Sequence, residues 1–164
     1  MSRLVPEAVN TNDLDQVNFV KVTREILAML APTAVEKHID LEFEHEDNLP
    51  NLISNSASLG ILIRNLVDNA IRYCKENGKV LVHLYKNSEY LILEVCDNGP
   101  GIPIELQSRV FERFFRVLGN KSPGSGLGLA IVKQICDIHN ASVELDTPKH
   151  HSGLIVRVLF PLEA

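Results

Sequence analysis

The stretch from Leu59 to Cys74 must fold as a helix with two unlike faces, and few architectures can seat it. Leu59, Leu62, Leu66 and Ala70 recur at helical spacing and require a core on one side. Asn65, Asn69 and Arg72 share another stripe with Ile61 and Asp68, opposite much of that apolar row. Asparagine is a poor helix former, so two on one face cost propensity that must be recovered elsewhere. Ser56 or Ser58 is placed to cap the helix start, and Asn77-Gly78 ends it.

The flanking segments supply partners for the apolar face. Val17 to Val20 reads as a short strand, and Val22, Ile26, Met29 and Leu30 repeat at helical spacing toward Lys37. Ile39 to Glu44 alternates apolar and charged residues, as a half-exposed strand does. Lys79 to Tyr85 and Tyr90 to Cys96 predict a hairpin through Lys86-Asn87-Ser88-Glu89, with the almost continuously apolar second strand central to its sheet. Leu127, Ile131, Ile135 and Ile138 define a third packed helix, and Ser142 to Asp146 with Leu154 to Phe160 form a closing hairpin. Between them lies a segment of prolines, a short helix over Glu105 to Arg116 and a polar Gly119 to Ser125 run. It reads as a mobile lid over about residues 102–125.

A chain of 164 residues with 45% hydrophobic content is long enough to bury one core, and it reads as one compact domain. Its net charge of −5, without a basic block, argues against a surface that tracks nucleic-acid phosphates. Small molecules or proteins are the expected partners. Cys74, Cys96 and Cys136 form no Cys-x-x-Cys pair and read as buried thiols in a reducing, cytoplasmic compartment. Gly60, Arg64, Arg157 and Pro161 interrupt the longest apolar runs, so no membrane contact is expected. No signal peptide opens the chain, and residues 1–13 read as a linker remnant ahead of a domain over 14–164.

Two further clusters make the polar helix face a candidate nucleotide pocket: Asp97-Asn98-Gly99-Pro100-Gly101 and Gly124-Ser125-Gly126-Leu127-Gly128-Leu129. On the helix, an amide oxygen is a neutral hard ligand for magnesium and an amide NH2 reaches phosphate oxygens, with Arg72 adding charge; a solvated polar face is the plain alternative. Asp97 begins an ordinary turn equally well. As a carboxylate ending a central strand, it accepts the exocyclic amine of adenine, a bond worth about 1.5–3 kcal/mol. Gly99 and Gly101 would then admit the base close to the backbone, and Ile102 would pack on it. Gly124, Gly126 and Gly128 precede an apolar helix, where free N–H groups and the helix dipole face phosphate. A dinucleotide-binding fold needs a strand directly before such glycines, and Leu118 to Pro123 is not one; the phosphate-loop pattern is missing too. Phe111, Phe114 and Phe115 line one face of the lid helix, for local packing or for a partner.

In this order the motifs resemble the catalytic ATP-binding domain of sensor histidine kinases, within the GHKL group of ATP-binding domains. Asn65 to Tyr73 looks like the N box, Asp97 to Gly101 the G1 box, Phe111 to Arg116 the F box and Gly124 to Leu129 the G2 box. The wording is most similar to the QseC and EnvZ groups of two-component sensors. The resemblance implies a Bergerat-type two-layer α/β sandwich, a mixed, mostly antiparallel sheet packed on three helices, with ATP under the lid. It also implies roles: Asn65 for magnesium, Asn69 and Arg72 for phosphates, Tyr73 beside the nucleotide and Asp97 for adenine, while on the lid Arg113 or Arg116 would swing toward the phosphates. Gly126, Leu127, Gly128 and Leu129 would meet phosphates through their backbone. The implied partners are the dimerisation domain carrying the phosphoacceptor histidine and a response-regulator receiver domain, in a parent homodimer at a bacterial inner membrane.

Two departures bound the chemistry. Gyrase and MutL ATPases and anti-sigma serine kinases resemble this fold but carry a general-base Glu four residues before the first Asn, where this chain has Ile61. Isoleucine cannot activate water or a hydroxyl, so an ATP-hydrolysing clamp and a serine kinase are the disfavoured alternatives. His45-Glu46-Asp47-Asn48-Leu49-Pro50 matches the family's phosphoacceptor box at His, Glu and Pro, yet it follows an alternating strand and not a long helix, so it reads as a decoy. His38, His83, His139, His150 and His151 read as structural or exposed. The lid reading carries its own test. Magnesium and ATP should slow hydrogen exchange of amides between Glu105 and Gly128 and leave Ser142 to Phe160 unchanged; exchange indifferent to nucleotide makes the segment a fixed loop.

Overall fold

The computed structural model describes residues 14–109 and 128–162. Strand β1 (Asp15–Val17) pairs antiparallel with β3 (Leu52–Ser54) in a small two-stranded sheet. The main sheet contains β2 (Asp40–His45), β4 (Lys79–Lys86), β5 (Tyr90–Asp97), β6 (Ser142–Asp146) and β7 (Ile155–Pro161), in the order β2-β4-β5-β7-β6. Among the described strands, only β2 and β4 run parallel. Helices α1 (Phe19–Glu36), α2 (Ser56–Tyr73) and α3 (Gly128–Ile138) form the second layer. Three helices against a mixed, mostly antiparallel sheet make the two-layer α/β sandwich that the motif order implies.

Alternation along the strands explains why the layers meet as they do. Val82, Val95 and Val156 share one row across β4, β5 and β7, and Leu84, Leu93 and Val158 share the next, all buried on one face. Phe19, Leu27 and Leu30 of α1, Leu59, Leu62, Ile63, Leu66 and Val67 of α2, and Val132 and Ile135 of α3 join them in one core. Strand β5 lies at the centre of the sheet, as its apolar run requires. Cys74 and Cys136 are buried, whereas Cys96 is only half-buried; all three are free thiols.

Several boundaries differ from the sequence expectation for local reasons. The strand expected over Val17 to Val20 stops at Val17, because Asn18 caps α1 by accepting the Lys21 N–H at 3.1 Å, which puts Phe19 and Val20 in the helix. Asn55, not Ser56 or Ser58, caps α2: its side-chain oxygen accepts the Ser58 N–H at 2.7 Å. Helix α2 ends at Tyr73, and Asn77-Gly78 forms a separate turn beyond it. Of the helix expected over Glu105 to Arg116, the described part is a 3-10 turn over Ile104–Arg109. The rest of the proposed lid, with Phe111, Phe114, Phe115 and Gly124, lies outside the described residues, as do residues 1–13.

Helices α1 and α3 end alike. The His38 N–H donates to the Val35 carbonyl at 3.0 Å and the Ile39 N–H to Ala34 at 2.8 Å, with His38 left-handed at φ 59°. Asn140, at φ 54°, and Ala141 repeat the pattern on Asp137 and Cys136. Both are Schellman motifs with a non-glycine residue at the left-handed position. His38→Gly should therefore raise stability by about 1 kcal/mol, seen as a higher urea midpoint with an unchanged slope.

Candidate functional site

The polar stripe of α2 is half-buried along Ile61, Asn65, Asp68, Asn69 and Arg72. Asn65 donates its Nδ2 to the Ile61 carbonyl at 2.8 Å, which leaves Oδ1 as its remaining polar atom. One proton of the Asn65 NH2 is thus engaged with the helix, and the Oδ1 has no hydrogen-bond partner among the described residues. The Asn69 side chain makes no hydrogen bond among the described residues, a half-buried amide in mid-helix with donors and acceptor in hand. Arg72 Nε lies 3.2 Å from Asp68 Oδ2 one turn away. Tyr73 closes the helix and is half-buried.

Asp97 ends β5 opposite Val80, on the face covered by the helices, and is only 6% exposed. Its Oδ1 accepts the Gly99 N–H at 2.9 Å, so the turn-forming role foreseen for it is real. Burial pushes its carboxyl above the ordinary range; backbone hydrogen bonds from Gly99 and Leu154, then the charges of His151 and Lys37, pull the other way. Asn98 has a structural role: its Oδ1 accepts the Lys79 N–H at 2.9 Å and the Cys74 thiol at 3.1 Å.

The reason for the two glycines differs from the one read in the sequence. A Cβ on Gly99 would overlap the Tyr73 carbonyl oxygen, and one on Gly101, at φ 77°, would stand 2.6 Å from the Gly153 carbonyl oxygen. Their bare Cα atoms serve close approach within the protein, closing the turn after β5 onto the end of α2 and onto the loop before β7. Helix α2 and the Asp97 turn are thereby brought into direct contact. Ile102 is half-buried, its carbonyl accepting the Gln107 amide at 3.1 Å. Gly128 opens α3, and Leu129 packs against the core. Arg116, Gly126 and Leu127 lie outside the described residues.

Lys37, which the sequence reading used only as a helix end, also belongs to this neighbourhood. Its Nζ donates to the carbonyls of Ile71 at 2.8 Å and Arg72 at 2.6 Å. The available signal was the end of α2: Tyr73-Cys74-Lys75 offers no glycine or asparagine at the helix exit, so its last carbonyls needed a donor from elsewhere.

The arrangement favours nucleotide recognition and disfavours water activation. Ile61 packs its side chain against the core, and the single carboxylate on α2, Asp68, is paired with Arg72. His45 pairs with Leu84, whereas Asp97 pairs with Val80, so the two lie about 13 Å apart along the strand direction alone. Its Nδ1 instead faces the Glu46 carbonyl at 3.0 Å. Among the described residues no three His, Cys, Asp or Glu side chains converge as a metal site. A magnesium ion at Asn65 fits the donor set as an amide oxygen completed by nucleotide phosphates and water.

Residues 54–164 match the family profile described as histidine kinase-, DNA gyrase B- and HSP90-like ATPase. Sensor protein kinase PmrB of Pseudomonas aeruginosa is 36% identical over 146 residues, covering 88% of this chain and 30% of that protein. Sensor protein QseC of Salmonella typhi is 34% identical over 151 residues, covering 87% and 33%. The chain thus spans about a third of the length of these relatives. Among solved structures, the mycobacterial sensor histidine kinase MprB superposes with a TM-score of 0.81 at 33% identity, covering 90% of this chain and 97% of that one. No described helix is long and apolar enough to cross a membrane.

The buried carboxylate makes a pH prediction with two opposite signs. Because its pKa is raised, Asp97 protonates above the usual carboxylate range, so ATP affinity that depends on its charge should fall at a higher pH than an ordinary aspartate would give. Its contribution to folding runs the other way, greatest below the ordinary value and lost as pH rises through the raised one. Asp97→Asn should weaken ATP binding about tenfold or more at neutral pH and abolish this acid limb in calorimetry. Unchanged affinity in the folded variant removes Asp97 from adenine recognition.

Proposed function

Because this chain belongs to the histidine kinase-, DNA gyrase B- and HSP90-like ATPase family, on its sensor histidine kinase side, we propose the following activity. It binds ATP with magnesium and donates the γ-phosphoryl group to a histidine on the dimerisation domain of its parent kinase. The phosphoryl group then passes to an aspartate on a response-regulator receiver domain. The observation that carries this reading is the junction of the buried Asp97 turn with the end of α2, which sets a buried carboxylate beside the helix that carries a stripe of amides and a guanidinium.

In this reading Asp97 accepts the adenine amine, with Ile102 and Tyr73 flanking the base. Asn65 Oδ1 holds magnesium, and Asn69 and Arg72 hold phosphate oxygens, with Arg116 and the backbone from Gly126 to Leu129 closing on them from the lid. Magnesium, held at Asn65 Oδ1, would supply charge neutralisation to the nucleotide phosphates. The chain's own part is positioning: it aligns the γ-phosphorus with an incoming imidazole, and Ile61 stands where the hydrolysing relatives carry a general-base glutamate. As the bond from phosphorus to the bridging oxygen breaks and the phosphorus–nitrogen bond forms, ADP leaves, and the imidazole proton passes to a base beside the acceptor. An imidazole nitrogen is already a nucleophile, so Ile61 does not impede it, whereas water and serine would need the missing carboxylate. Residues 1–13 then serve as linker from the dimerisation domain, residues 14–164 as the catalytic domain, and the parent as an inner-membrane sensor with this part in the cytoplasm.

With labelled ATP and magnesium, the isolated chain should bind nucleotide, release phosphate at background rate and acquire no acid-labile label. Adding the parent's dimerisation domain should place the label on that domain. Acid-labile phosphate on His45, or steady phosphate release from the isolated chain, overturns the assignment.

A further inference from the structure

The last turn of α2 satisfies its carbonyls in an unusual way. The Ala70 carbonyl accepts the Cys74 N–H at 3.0 Å, but Cys74 is extended at ψ 149°, so the chain leaves the helix without the left-handed residue that ends α1 and α3. The carbonyls of Ile71 and Arg72 are taken instead by Lys37 Nζ, and the Tyr73 carbonyl abuts Gly99. Lys37 is held for this task by its own backbone. It is the C-cap of α1, and the Schellman motif through His38 and Ile39 fixes the direction in which its side chain leaves the helix.

We propose that Lys37 is a positioning residue of the nucleotide site, a helix cap supplied from another helix that fixes Arg72, Tyr73 and the Asp97 turn relative to one another. Three of the groups assigned to nucleotide lie within one helical turn or one backbone contact of its two hydrogen bonds. A cation at this place also offsets the negative end of the α2 dipole, and its charge favours the ionised form of Asp97. Loss of Lys37 frees two carbonyls at the helix end, lets the last turn fray and loosens the seat of Tyr73 against Gly99.

This inference rests on the ATP reading, and its test separates the two. ATP and GTP binding with magnesium are measured by calorimetry on the wild-type chain, Lys37→Met and Lys37→Arg, under conditions where circular dichroism shows each folded. Lys37→Met should lose about tenfold in ATP affinity and part of its preference for ATP over GTP. Lys37→Arg, which keeps the charge and the donors, should restore both. A lysine that merely stabilised the fold would lower the melting temperature and leave affinity and base preference intact. Should Lys37→Met not fold, Lys37→Ala, which likewise offers the two carbonyls no donor, replaces it. Wild-type affinity and preference in the neutral variant, or a loss that arginine does not restore, overturns the role of Lys37. A wild-type chain that fails to bind ATP overturns the nucleotide reading itself.

Discussion

The site depends on how closely the end of β5 approaches the end of α2. Gly99 lies against the Tyr73 carbonyl so tightly that a single methyl group there would collide with it. That approach brings two separate polar motifs, one on a helix and one after a strand, into direct contact. The Asp97 carboxylate there is buried, which raises its pKa, and backbone amides of its own turn, with the charges of His151 and Lys37, offset part of that. Asn98 ties the opposite side of the junction to the start of β4 and to Cys74, and Lys37 ties it to α1. Each tie uses a polar group that would otherwise need a water.

What the sequence revealed and what it hid divide along a physical line. The apolar row of α2, the central place of β5 and the alternation in β2 are local periodicities, and each appears in the fold where the spacing put it. Helix starts were less legible. Asn55, Ser56 and Ser58 are all good caps by chemistry, and only the extended backbone at Asn55 decides among them. Val17 to Val20 suits a strand and the first helical turn equally, so the capping by Asn18 broke the tie. Least legible was Lys37, because its hydrogen bonds join residues 34 and 35 positions apart and no window along the chain contains both ends.

The glycines show how a correct residue can be chosen for an incomplete reason. Gly99 and Gly101 stand where the sequence placed a close approach, but the approaching groups are the carbonyls of Tyr73 and Gly153. A substitution there would therefore harm the site by prising its walls apart. The polar stripe of α2 shows the converse. Its asparagines disfavour helix, yet the apolar row behind them buries enough surface to hold the helix, leaving an amide such as Asn69 available to a ligand.

The single parallel pairing in the sheet sets an order on assembly. Asp40 and Lys79, opposite each other in β2 and β4, are separated in sequence by all of β3 and α2, whereas β4 and β5 are joined by a short hairpin loop. Loop-closure entropy favours the hairpin as an early event and the parallel pair as a late one. Helix α2 is the crossover between β2 and β4, so its docking and the closure of that pair are one event. The amides of the α2 stripe thus reach their places only when β2 and β4 pair, and a partly folded chain has no half-built site with which to capture nucleotide.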